Sequence, residues 1–126
     1  MKLHEAVRAY LTIQTLSSRE LDYKTAHALM ITKKRLQPHV EFYSSEEMKL
    51  AEAYGEKDEK GKLIYREGGR FNITGDGDEY VAKKNALGEV TVEDFEPIKV
   101  PVPERITAEQ LEALDGIIDF GGSDVT

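Results

Sequence analysis

DYKTAHALMITKKRLQPHVEFYSSEEMKLAEAY, residues 22–54, is the stretch whose reading decides the fold. Leu29, Leu36, Tyr43 and Leu50 recur at heptad spacing, and Ala26, Val40 and Tyr54 fall at the interleaved steps, with Lys33 and Glu47 as the interruptions. That spacing predicts a helix with one apolar seam, which something must cover. Asp22 is placed to accept from the free N–H groups of the first turn. Leu21 and Ala26 hold the positions of a hydrophobic staple, and Gly55 stands where a C-cap glycine ends a helix. Pro38 removes one hydrogen bond from the interior. Because the seam keeps its phase from Leu36 to Val40, the expectation is one long, kinked helix rather than two.

Such a helix is about 50 Å long at 1.5 Å per residue. A chain of 126 residues forms a domain too small to bury that length alone, so part of the seam is expected to meet another chain. Leu29, Leu36, Val40, Tyr43, Leu50 and Tyr54 are the predicted partner-binding residues. Phe42 joins them because it lies off the stripe and is the better candidate for an exposed contact.

Working outward, residues 2–16 predict a first helix, with Leu3, Ala6, Tyr10 and Ile13 in line and Val7, Leu11 and Leu16 widening the face. The link of residues 17–20 is short, which favours an antiparallel helical hairpin. Residues 56–61 are a charged loop. Lys62–Arg66 and Arg70–Ile73 flank Glu67-Gly68-Gly69 and predict an antiparallel β-hairpin. A short helix is expected over 78–87, stopped by Gly88. Residues 89–92 and 98–102 alternate polar and apolar, and Pro97, Pro101 and Pro103 confine the second run to an edge strand or extended arm. Thr107 and Gln110 form a capping-box pattern, opening a C-terminal helix with Leu111, Leu114, Ile117 and Ile118 on its apolar face. The predicted fold is α+β in a single domain over 1–120: a helical hairpin over 1–55, then a β-hairpin, short helix, edge strand and C-terminal helix over 56–120. Residues 121–126 read as a frayed tail.

Composition narrows function. The chain has no Cys, which removes thiolate nucleophiles, thiolate metal ligands and disulfides. Its net charge of −7 is uneven: 8 Lys and Arg stand against 7 Asp and Glu in residues 1–55, and 9 against 17 in residues 56–126. An acidic chain is poorly suited to phosphate backbones, so nucleic acid is not the expected partner. Lys33-Lys34-Arg35 reads as a solvated helix face. No apolar run reaches the roughly 18 residues of a membrane span, and Lys2, His4, Glu5 and Arg8 interrupt any signal-peptide core. A soluble cytoplasmic protein is expected.

Chemistry-bearing patterns are sparse. Asp76, Asp78 and Glu79 sit in an acidic turn, but counting twelve from Asp76 gives Leu87, which does not fit an EF-hand; acids at a helix start are the simpler account. His27 and His39 lie three turns apart on one helix and cannot share an ion within a chain, and His4 is distant in sequence. Ser17, Ser18, Ser44, Ser45 and Ser123 occupy no nucleophile elbow. Gly68-Gly69 and Gly75-x-Gly77 lack phosphate-loop spacing. The expectation is therefore a non-enzymatic protein without cofactor or metal, working through protein contact.

One resemblance is carried by the N-terminal Leu3-x-x-Ala6 helix, Leu21-Asp22-Tyr23-Lys24-Thr25-Ala26-His27-Ala28-Leu29, Leu36-Gln37-Pro38-His39-Val40-Glu41 and the run from Tyr54 to Lys62. Phe95-Glu96-Pro97-Ile98 and Ile106 to Leu114 extend it. In these residues the chain resembles a family of small proteins encoded in tailed phages and prophages of Gram-positive bacteria. The resemblance implies a phage accessory or assembly context, in the cytoplasm of the bacterial host or in the virion, and supplies no catalytic residues. The alternative is an acidic inhibitor or regulator of a host protein, with Asp76, Asp78, Glu79, Glu93, Asp94 and Glu96 docking on a basic surface.

Overall fold

The long helix forms as one element. In the computed structural model, which describes residues 1–121, α2 spans Tyr23–Tyr54 with Pro38 inside it. Asp22 Oδ2 accepts from the Lys24 N–H at 3.1 Å, capping the start. Pro38 is tolerated because it and Lys34, whose carbonyl loses its helical partner, both face solvent. At the far end the Gly55 N–H donates to the Ala51 carbonyl at 2.7 Å. Gly55 is the C-cap, as its position predicts, and leaves the helix in an extended conformation, φ −83°, rather than a left-handed one. Glycine is needed for another reason: a Cβ would collide with Leu63 Cδ1 and the Ala51 oxygen.

Helix α1, Leu3–Ser17, buries Leu3, Ala6, Ala9, Ile13 and Leu16. It returns along the first half of α2, and Lys33 Nζ lies 5.4 Å from the Tyr10 ring centroid. Two residues assigned inward by spacing point outward instead: Leu11 on α1 and Ala26 on α2 are exposed. The α2 seam is rotated slightly, so that Thr25, Ala28, Leu29, Thr32 and Leu36 face the core. With Ala26 outside, the staple with Leu21 is absent.

Helix α3 spans Gly77–Gly88, with Asp76 Oδ1 accepting from the Glu79 N–H at 3.1 Å. It packs on the second half of α2 and, at its end, on α1: a Cβ on Gly88 would stand 3.3 Å from that of His4. Residues 1–3 pair with 90–92, with Leu3 N–H donating to Val90 O and Val92 N–H to Met1 O, both at 2.8 Å.

The strands differ from expectation. The sheet is a parallel pair, β1 (Ile98–Lys99) and β2 (Ile118–Asp119), with Ile98 opposite Ile118. Helix α4, Ala108–Ala113, is the crossover between them, and the reciprocal Thr107–Gln110 box predicted from sequence opens it. Ile117 and Ile118 do not continue that helix. Gly116, at φ +76°, turns the chain out of it and sends them into β2.

The antiparallel hairpin predicted across Gly68-Gly69 is corrected as well. The glycines do make the turn, closed by Arg66 N–H on Arg70 O at 2.6 Å. Beyond it the two arms part, and each pairs with the segment after α2. Lys57 bridges Leu63, and Gly55 bridges Ile73, both antiparallel. The charged loop is itself a tight reversal: the Asp58 carboxylate accepts from the N–H groups of Lys60 and Lys62, and Gly61 takes φ +80°.

The main core joins α1 and the first half of α2 to Val100, Leu114, Ile117 and Ile118. Within it the Thr32 hydroxyl has no hydrogen-bond partner among the described residues. Apart from Gly121, the tail predicted over 121–126 lies outside the described residues.

Candidate functional site

The predicted partner-binding residues divide along α2. Leu29 and Leu36 are completely buried, covered by α1 and the C-terminal elements, so in this fold they serve the chain's own core. Val40, Tyr43, Leu50 and Tyr54 are half-buried. Phe42 is 48% exposed.

Around the second half of α2 the packing is aromatic and charged. Tyr54 meets Tyr80 edge-on with centroids 5.9 Å apart, and Tyr80 meets Phe71 at 6.3 Å. Lys83 Nζ lies 5.4 Å from the Tyr54 ring centroid, and Lys84 Nζ 5.9 Å from that of Tyr80. Lys84 also pairs with Glu47 at 3.6 Å, and Lys83 with Glu79 at 3.1 Å. Burial, followed by the Glu47 charge, pushes the Tyr43 phenol above its ordinary value. Hydrogen bonding to Tyr54 and then to Lys83 holds the Glu79 carboxyl below the usual carboxylate range, and Tyr54 followed by Glu79 raises Lys83. At the α1 end, Lys2 pairs with Glu89, which raises Lys2 and lowers Glu89.

The residues Lys33-Lys34-Arg35 are not uniformly solvated. Lys33 covers Tyr10, and Arg35 stacks on Phe95 with its guanidinium 5.5 Å from the ring centroid. The Arg35 Nη1 also reaches the Glu96 carbonyl at 3.4 Å. Only Lys34 of the three extends from the outer face without such a contact among the described residues.

A groove of about 690 Å³ lies at the tip of the helical hairpin, between residues 19–25 and the Pro101–Arg105 segment. Arg19 Nη1 crosses it to the Arg105 carbonyl at 2.6 Å. Its charges are mixed, with Arg19 and Arg105 beside Glu20, Asp22 and Glu104. Sequence reasoning did not find it, because its walls lie about eighty residues apart and only the Pro101-Val102-Pro103 run hinted at an extended wall.

The acidic turn is occupied by structural tasks. Asp76 caps α3 and Glu79 pairs with Lys83. Among the described residues no group of three or more His, Asp or Glu side chains is placed to hold a metal ion. No helix among them is long and apolar enough to cross a membrane. His4 lies 3.9 Å from Glu89, and His27 and His39 remain on α2. Comparison of the chain with protein-family models, curated proteins and solved structures found no match.

Proposed function

We propose that the chain is a non-enzymatic phage accessory or assembly protein that works by protein–protein contact, self-associating or docking through the long helix. The observation that carries the contact reading is the mismatch of lengths. Helix α2 has 32 residues and α1 has 15, about 48 Å against 22 Å at 1.5 Å per residue. Beyond Leu36 the helix is only partly covered, and it presents Phe42 together with the half-buried Val40, Tyr43, Leu50 and Tyr54. The phage context, and with it a place in the host cytoplasm or the virion, rests on the sequence resemblance alone.

Light scattering behind a sizing column tests the reading. The expected result is a mass of two or more chains that falls to one chain with at least one exposed α2 substitution, Phe42→Asp on its flank or Lys34→Glu on its outer face. A multi-chain mass that survives both would move the contact off the helix. A single-chain mass would leave docking on another virion protein, with binding to a co-expressed component lost in the same variants.

A second reading is an acidic regulator of a host protein. It is favoured by Glu93, Asp94 and Glu96, which are exposed in one run before β1. It predicts binding to a basic partner that weakens steeply with salt.

A further inference from the structure

The outward face of α2 carries a repeated pattern. Tyr23, His27, Met30 and Lys34 are all exposed, and so are Glu41, Ser45, Met48 and Glu52. The second quartet repeats the spacing of the first eighteen residues later. At about 100° per residue, eighteen residues make five whole turns, so both quartets project within about 40° of one line. Thr25, Thr32 and Leu36, which face the core, project to the other side. Tyr23 is 75% exposed, Met30 45% and Met48 46%. The Tyr65 hydroxyl donates to Met48 Sδ at 3.4 Å, adding a second exposed ring at that end.

The charges on this line have a direction. Lys34 belongs to the first quartet; Glu41 and Glu52 belong to the second. We propose that this face pairs with the same face of a second copy, antiparallel, about a two-fold axis between Gln37 and Pro38. This rests on the reading that the long helix is the contact element, and it names the occupant and the register. In that register Lys34 of each copy meets the partner's Glu41, and Tyr23 meets the partner's Glu52. Met30 comes within one turn of the partner's Met48. The surface is self-complementary, as a two-fold interface requires. A parallel pairing would set Lys34 against Lys34 and Glu41 against Glu41, which repel. Glu41 already accepts from Gln37 Nε2 at 3.0 Å, which holds the carboxylate near the axis.

Charge reversal tests the register. Lys34→Glu and Glu41→Lys are each expected to reduce the dimer mass to one chain at a concentration where the parent is dimeric, with helical circular dichroism unchanged. The double reversal restores the dimer. The proposal is overturned if the parent is a single chain at every concentration, if neither single reversal dissociates it, or if the double reversal fails to restore it. Because the chain has no Cys, a second measurement is direct. Gln37→Cys, at the axis, is expected to form an inter-chain disulfide on mild oxidation, and Phe42→Cys, about 140° round the helix from Gln37, is not. Cross-linking through position 42 instead of 37, with a dimer lost in Phe42→Asp alone, would overturn this register and leave the long-helix reading standing. A dimer that survives every α2 substitution would overturn both.

Discussion

The two halves of α2 are one continuous helix in two environments. From Thr25 to Leu36 its inner face is covered by α1, its neighbour in sequence, and by Val100, Leu114, Ile117 and Ile118, which lie far away in sequence. From Val40 to Tyr54 its neighbours are the segment that follows it and α3, with rings and ion pairs in place of an aliphatic core. Of the second half only Ala51 is buried. Regular helical hydrogen bonding is thus no measure of local stability, which follows the apolar surface removed from water. The inner face of the first half should behave as the anchor, and the second half as the more weakly held part of the helix.

The sharpest way to break this contrast is a charge on each half. Leu36→Asp sets an unpaired carboxylate in the core and is expected to cost more than about 4 kcal/mol, enough to abolish the cooperative thermal transition. Leu50→Asp, at a half-buried position, should leave a folded chain with a lowered melting temperature. Equal loss in both would show that the halves do not differ. Next, Gly55→Ala forces a methyl against Leu63 and the Ala51 carbonyl. Its expected cost is about 1–3 kcal/mol, with faster amide exchange over residues 55–74 and little change over residues 3–17. Thr32→Val removes the orphaned hydroxyl from the first half and should stabilise the chain by about 1 kcal/mol, read from denaturant melts.

The smallest effect is a titration. Glu79 is lowered in the folded chain, so its contribution to stability is present above the ordinary carboxylate pKa and is lost as pH falls through its folded value. Tyr54→Phe should move the Glu79 carboxyl back up toward the ordinary range in an NMR titration. No movement would remove Tyr54 from that network.

Local signals were legible in the sequence. Asp22 and Thr107 each cap the helix they were expected to cap, and the acidic turn read as a helix start supplies the cap of α3 through Asp76. These devices act within four residues, where spacing is informative. Non-local pairing was not legible. Lys62–Arg66 and Arg70–Ile73 were expected to pair with each other because a glycine turn joins them, yet both pair with residues 55–57, which the end of α2 delivers between them. Ile117 and Ile118 fit a helical face until Gly116 turns them into a strand beside Ile98. The seam was found, with Leu29 and Leu36 inside it, but periodicity does not say whose surface covers it. The hairpin-tip groove had no local signature, since Arg19 and Arg105 come together only on folding.

The closing of the main core by Val100, Leu114, Ile117 and Ile118 also sets an order of events during synthesis. These side chains, from Val100 to Ile118, leave the ribosome long after α2 has begun at Tyr23, and loop closure over that span precedes any gain from burying them. The Tyr43–Tyr80 neighbourhood needs only nearby chain and can gather first. A nascent chain therefore carries a complete long helix whose anchor half is covered by α1 alone, and the rest of the apolar surface around Leu29 and Leu36 faces water, or a chaperone, until residues 100–118 arrive.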